Sequence, residues 1–563
     1  MPRYRSATLV VLVCFVAAQF GWGASEHWDR TLRTSAAGSV YVSLDSWIYP
    51  AFDRLIALGY IDSAYLGLRP WTRLACVHML ARVERVFELE EVDSEANSLY
   101  EALRNEFEPD YRAATRERAA FTAGLDSIYL RGLGITGQPL NDSFHFGQTR
   151  INDYGRPYGH GFNQTAGFIA HAEYGRFSLL VRGEYQQAPG RPPYSEAVQE
   201  AISAMDANPV SPPRTIAPTH DFRLLDANLS VNLASHEISV GKSEMWWGPG
   251  QGGAFAYSNN AEPIYMLRIN RVEPLEIPLL SKLLGPVRYD LFVGSLQGHD
   301  HPAGPWIQGQ KVSFKPTLNF EFGVSRTIVF AGKGHVPLTL GSFWNSFTSF
   351  SNVPESTKFS RNDPGDRYSS FDFSYRLPLL RNWVTLYSDS IVHDDVSPLS
   401  APRRAAFRPG IYISHFPHAP RLDFRAEAVY TDFPTSRSQG GKYFFFENAY
   451  HDAYTNKQFI LGDWIGREGK GGQAWLTYHL SPKEMLQFSY RNAKSASDFV
   501  PGGTTQNDFS VRLVLRLNER TELDAFSQIE FWKAPILAPG LHADASIGLQ
   551  LRFYPHLKWS AVK

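Results

Sequence analysis

The sequence predicts an all-β transmembrane barrel of the outer-membrane type, with a small α-helical bundle in front of it. From roughly Phe121 onward, apolar residues recur at every second position, the period of a strand with two different faces. The intervening face carries repeated arginines and acids rather than the mild polar residues of a soluble sandwich. The chain opens on an export signal, and no later stretch is long and uncharged enough for a transmembrane helix.

Residues 1–23 read as a secretory signal peptide. Arg3 and Arg5 form its charged region and Ala7 to Phe20 its apolar region, with small residues before Ala24. Cys14 follows Val13 rather than the small residue a lipoprotein signal wants, so lipidation is not expected. The mature chain then keeps only Cys76, which excludes an intrachain disulfide and a Cys-based metal site. The formal net charge of −1 over 563 residues leaves no electrostatic footprint for nucleic acid. A mean hydropathy of −0.27 is compatible with a membrane barrel, because polar lumen positions cancel lipid-facing ones.

Residues 24–117 are expected to form the helical bundle. Pro50 suits the start of a first helix that Gly59 ends. Thr72 is a natural N-cap for a second, and a third runs from Ser94 with Leu99, Leu103 and Phe107 on one face. Such a bundle either buries its own core as a scaffold or serves as a plug or docking module.

Residues 118–563 are expected to form the barrel. Clear alternation covers Val287–Val293, Leu318–Val324, Leu422–Tyr430, Phe509–Leu517 and Ala543–Phe553. These runs approach the roughly 9–11 residues that a tilted strand needs to cross, and their rhythm gives about 16–20 strands. Tight turns such as Glu173–Gly175 contrast with long connections, of which Gln186–His220 is the longest and carries a short helical pattern. Long connections in such barrels face outside or fold into the lumen.

No catalytic constellation stands out. His299-Asp300-His301 reads as a solvated loop tip rather than a metal site. His393-Asp394-Asp395 offers neighbouring acids, but glycoside hydrolysis needs two carboxylates at a set separation, which sequence neighbours do not establish. The Gly466–Gly472 run lacks phosphate-loop spacing and reads as a flexible connection. No cofactor is expected. The candidate binding residues are Trp246, Trp247, Asn259, Asn260, Arg268 and Arg271, in the stretch from Gly241 to Pro274. Tryptophan faces stack on sugar rings, while arginine and asparagine satisfy hydroxyls and carboxylates, so the set suits an acidic polysaccharide. Its competing reading is architectural, a loop folded into the barrel with its tryptophans packed beneath it.

The segments GKSEMWWGPGQGG, SNNAEPIYMLRI, EPLEIP and LLGPVRYDLFVG carry a specific likeness. With them the chain resembles the Wzi family of capsule assembly proteins, and SLDSWIYPAFDRLIALGYID looks like that family's helical N-terminus. The resemblance implies about 18 antiparallel strands, a periplasmic helical bundle, an outer-membrane location and a non-enzymatic role in holding capsular or extracellular polysaccharide. Expected partners are that polysaccharide, outer-membrane lipid and polysaccharide-export machinery. One departure is the continuation HLKWSAVK beyond Phe553 and Tyr554, where many barrels end on an aromatic residue. A porin or sugar-specific channel is the alternative, motivated by the charged lumen. A glycan-modifying enzyme using Asp394 and Asp395 is the weakest reading.

Overall fold

A computed structural model describes residues 37–87, 92–115, 120–212, 215–350, 353–433, 441–555 and 557–562. The signal-peptide reading lies outside these residues, as does the expected boundary between bundle and barrel near residue 118.

Four helices precede the strands among the described residues: α1 Ile48–Ala57, α2 Arg73–Phe87, α3 Ser94–Glu106 and α4 Glu108–Thr115. Gly59, at φ +92°, turns the chain after α1. Thr72 Oγ1 accepts from the Ala75 amide at 3.2 Å and starts α2. Three helices were expected; α4 is the addition, and Pro109 near its start costs nothing because that amide has no helical partner. Phe52, Leu55, Trp71, Val77, Leu80, Leu103 and Phe107 close a core inside the bundle. The guanidinium of Arg73 ties α2 to the α3–α4 corner through Asp110 at 2.8 Å and Glu106 at 3.1 Å.

The barrel strands are β1 Ala120–Ile135, β2 Gly161–Tyr174, β3 Phe177–Ala188, β4 Thr219–Leu233, β5 His236–Lys242 and β6 Tyr265–Arg271. They continue with β7 Val287–Ser295, β8 Trp306–Thr317, β9 Phe320–Phe330, β10 Asp366–Arg376, β11 Val384–His393 and β12 Ala405–Ile413. The last are β13 Leu422–Tyr430, β14 Gly469–Ser481, β15 Glu484–Ser495, β16 Thr504–Asn518, β17 Thr521–Ala534, β18 Ala538–Phe553 and β19 Leu557–Val562. All pair antiparallel in one nineteen-stranded sheet. β18 pairs with the later half of β1 and β19 with its beginning, so the two act as one interrupted strand and the closed wall has 18. The C-terminal continuation thus seals the seam. Leu318 and Asn319, expected within a strand, form the turn between β8 and β9.

The alternation works as expected. In β18, Ile547, Leu549 and Leu551 are exposed on the outer wall while Ser546 and Arg552 are buried inside. In β13, Asp423, Arg425 and Glu427 face the lumen, between the outward Phe424 and Ala426. One rim of the barrel carries mostly short turns and the helical bundle, and the other carries the long connections.

The helical bundle docks on the short-turn rim. Amides of Leu66 and Gly67 donate to Glu321 at 2.9 and 3.0 Å. The Tyr65 hydroxyl donates to Pro286 O at 2.8 Å, and Arg376 donates to Ile56 O at 3.0 Å. Arg54 reaches Ser414 O at 3.2 Å and Asp423 at 3.3 Å. The bundle is therefore both a scaffold with its own core and a docked module.

Candidate functional site

The stretch singled out in the sequence leaves the wall at Gly241. Its φ of +129° suits glycine, and a Cβ there would lie 1.9 Å from Ala227 O. From Ser243 to Ile264 the chain runs inside the barrel. Trp246 exchanges backbone hydrogen bonds of 3.0 and 3.1 Å with Arg69, so this loop meets the helical bundle inside the lumen. The wall grips the loop tip. Glu427 accepts from the Gln251 and Gly252 amides at 2.7 and 3.1 Å, and Asp389 from Phe255 at 2.7 Å. At Gly252 a Cβ would meet Gln473 Oε1 at 2.0 Å, which explains the glycine-rich sequence at the tip.

The six candidate residues do not gather on one open surface. Trp247 is fully buried, donates from Nε1 to Asp290 at 3.1 Å and packs edge-on against Phe292. Arg268 is paired with the same Asp290 at 2.7 Å. Trp246 donates from Nε1 to Gly250 O at 3.1 Å. Asn259 and Asn260 join three long connections. Their carbonyls accept from Tyr154 and Gly155, and Asn260 Nδ2 donates to Ile460 O at 3.2 Å. Arg271 lies at the short-turn rim, donating to Glu273 O and Ala234 O.

A second inward connection, between β13 and β14, completes the filling. Tyr65 and Leu68 of the bundle, Trp247 and Phe255 of the first loop, and Phe445, Tyr454 and Trp464 of the second share one apolar cluster with the wall. Ion pairs lock it. Arg408, fully buried, binds Glu427 at 2.7 Å and Asp463 at 2.6 Å. Arg182 joins Asp45, just ahead of α1, at 2.9 Å to Glu244 of the inward loop, also at 2.9 Å.

The sequence profile described as Capsule assembly protein Wzi matches residues 133–546. The chain belongs to the Wzi family. Its fold is similar to a solved structure described as Wzi, an outer membrane protein involved in group 1 capsule assembly in Escherichia coli and a carbohydrate-binding β-barrel. That likeness has a TM-score of 0.64 at 18% identity, covering 91% of this chain and 99% of the other. An uncharacterized 55.8 kDa protein in the cps region of Klebsiella pneumoniae is 26% identical over 169 residues, 30% of this chain. The match spans about a third of that relative's length, 32%. This Wzi-family chain is an outer-membrane β-barrel.

Its long-loop rim is bound together by polar staples that no sequence motif announced. α5 (Glu196–Asp206), the helical pattern foreseen between β3 and β4, starts at its cap Ser195 and ends at Asp206. His145, between β1 and β2, contacts Asp142 at 2.8 Å and Asp206 at 2.9 Å. Burial disfavours the imidazolium, but the two carboxylates outweigh it and push the His145 pKa up to about 9. Arg467 also binds Asp206, at 2.5 Å, and donates to Lys442 O at 2.9 Å. The Gly466–Gly472 run is thus no flexible connection: Arg467 within it is 1% exposed and anchors two loops. His299, expected at a solvated tip, is buried with Nε2 against Thr455 O at 2.8 Å.

The ligand atoms of Asp366, His393 and Asp394 lie within 4.8 Å of one another, a spacing that a cation could use. Here His393 contacts Asp366 at 2.6 Å, and Lys358 places its ammonium 2.9 Å from both Asp394 and Glu447. Burial raises the Asp394 carboxyl, but His393, Lys358 and Arg367 outweigh it and hold the pKa below the ordinary value. Burial and then Asp366 push Glu447 up, and Lys358 only partly offsets them. Asp395 turns instead to Arg404 at 3.0 Å. The neighbouring acids Asp394 and Asp395 therefore serve separate ion pairs.

A shallow recess with room for about one water opens at the same rim, lined by Arg131, Arg156, Tyr158, Asn163 and Gln186 among others. Arg156 is held by Glu184 and Arg131 by Asp153, so the charges balance. Gln186 donates to Glu184 at 2.9 Å, while its buried Oε1 accepts nothing from the described residues. These residues come from the ends of three strands and one loop, which is why no local sequence signal marks them.

Proposed function

We propose that this protein helps assemble or attach capsular or extracellular polysaccharide at the cell surface. It binds glycan at its long-loop rim and catalyses nothing. The observation that supports this most is the filled lumen: bundle and inward loops meet at Arg69 and Trp246, so recognition falls to the rim rather than to a passage. Family membership points the same way. The recess at Gln186 is the favoured subsite: a water seated on its orphaned oxygen would bridge to a sugar hydroxyl above it, and its neighbours are hydroxyl-matching amides and a tyrosine. Trp246, Trp247, Asn259, Asn260 and Arg268 support this site from below by fixing the loops, and Arg271 lies apart from it.

In a deletion strain, the wild-type gene is expected to restore cell-bound polysaccharide that the deletion sheds into the medium. Gln186→Leu, checked for folding by heat-modifiable migration, is expected to weaken binding of the purified protein to the strain's own polysaccharide. The loss of one hydrogen bond of about 1 kcal/mol corresponds to roughly fivefold. A deletion that leaves cell-bound polysaccharide unchanged, with none shed, removes the function. Unchanged binding by Gln186→Leu removes the subsite alone.

A further inference from the structure

The outward face of the wall is mostly apolar, with a compact polar cluster on β8, β9 and β10. In β8, Gln308 and Gln310 pair across the sheet with Val293 and Leu291 of β7, residues on the outer face. In β9, Arg326 follows Phe322 and Val324 on that face, and Arg367 of β10 pairs with the outward Ile328. Lys311, one position along from Gln310, points the other way and pairs with Asp372 in the lumen. Left bare, the two amides and two guanidiniums would point at acyl chains.

The connection between β9 and β10 covers them. It carries α6 (Leu340–Thr348), which starts with a capping box between Thr339 and Ser342. Arg326 donates to the carbonyls of Phe347 and Ser349, and its guanidinium lies 4.3 Å from the Phe350 ring centre. Gln310 donates to Phe347 O at 3.3 Å, and Arg367 to Ser349 Oγ at 3.2 Å. Phe343 packs on Phe330 of the wall. The helix therefore lies against the outside of the barrel, where it satisfies the polar patch. Its other face presents Leu340 and Trp344, 89 and 63% exposed, and Phe350 just past its end is 69% exposed.

We infer that α6 and the turn to Phe350 form an outer-leaflet anchor, with Leu340, Trp344 and Phe350 embedded among lipid acyl chains. The anchor is continuous with the lipid-facing wall. The exposed face of α6 extends the bare stripe of Val324, Phe322 and Phe371 on the same wall, and lipid already covers that stripe. An aromatic residue at this edge matches the girdle position of membrane barrels.

The full-length protein in phospholipid vesicles tests this. A fluorophore on Leu340→Cys reports the anchor; native Cys76 is buried and does not compete for label. His160→Cys, on the exposed rim, is the aqueous reference. Heat-modifiable migration confirms that both variants are folded. Acyl-brominated lipid is expected to quench the 340 label at least twofold while aqueous iodide leaves it nearly untouched, with the reverse at 160. Iodide quenching at 340 without lipid quenching overturns the inference. So does shielding from both quenchers with 340–340 cross-linking, which would assign the face to a second copy.

Discussion

At the scale of single residues, the chemistry of the stretch from Gly241 to Pro274 is spent on packing. Trp247 and Arg268 converge on Asp290, and truncating Arg268 would leave Asp290 Oδ1 buried without its partner. The same principle makes His145 a pH-sensitive staple. Its pKa rises from 6.5 to about 9 on folding. A raised histidine contributes its full stabilisation below the unfolded value and loses it as pH climbs through the folded one. Asp206, whose pKa is lowered by His145 and Arg467 against the effect of burial, gives up its share only in acid. Hydrogen exchange across α5, corrected for intrinsic rates, is therefore expected to accelerate as pH passes about 9. His145→Gln should already exchange fast at neutral pH and show no such step. An identical step in the variant would show that another group titrates.

At the scale of elements, the helical bundle depends on the barrel as well as on its own core. Arg182 is the joint between the segment before α1, the wall and the inward loop. Arg182→Ala would strand Glu244, which is 3% exposed, in the interior. Breaking such a buried pair costs about 3–5 kcal/mol. The midpoint of the heat-modifiable transition should fall sharply, and Arg182→Ala combined with Glu244→Gln should recover part of the loss. No recovery would mean that the guanidinium acts chiefly through packing and through Tyr129, whose hydroxyl accepts from Arg182 Nε at 3.1 Å.

At the scale of the whole molecule, a barrel wide enough for a channel is filled from both rims by three chain segments that touch at its centre. The purified protein is accordingly expected to show no steady conductance in planar bilayers. Sustained openings in most insertions would restore the porin reading. The charged lumen that motivated that reading is used instead to hold the filling in place, through Arg408, Glu427 and Asp463.

The sequence by itself determined the class of fold, because a period-two pattern with apolar and charged faces is stable only where lipid meets one side and polar groups the other. It also placed α1 and α2 through a starting proline, a terminating glycine and a cap, α3 and α5 through their helical periodicity, and the family through the Trp-Trp-Gly-Pro-Gly block. The sequence did not reveal α4, the sealing of the wall by β19, or the folding of α6 over the outer face. Each depends on a partner distant in the chain, and local periodicity carries no record of such a partner. Only the tertiary structure decided that Trp246 and Trp247 point inward to meet bundle and wall, and that the residues lining the rim recess come together. Those outcomes follow from closing the barrel, which sets distant side chains against one another and buries charges that must then be paired.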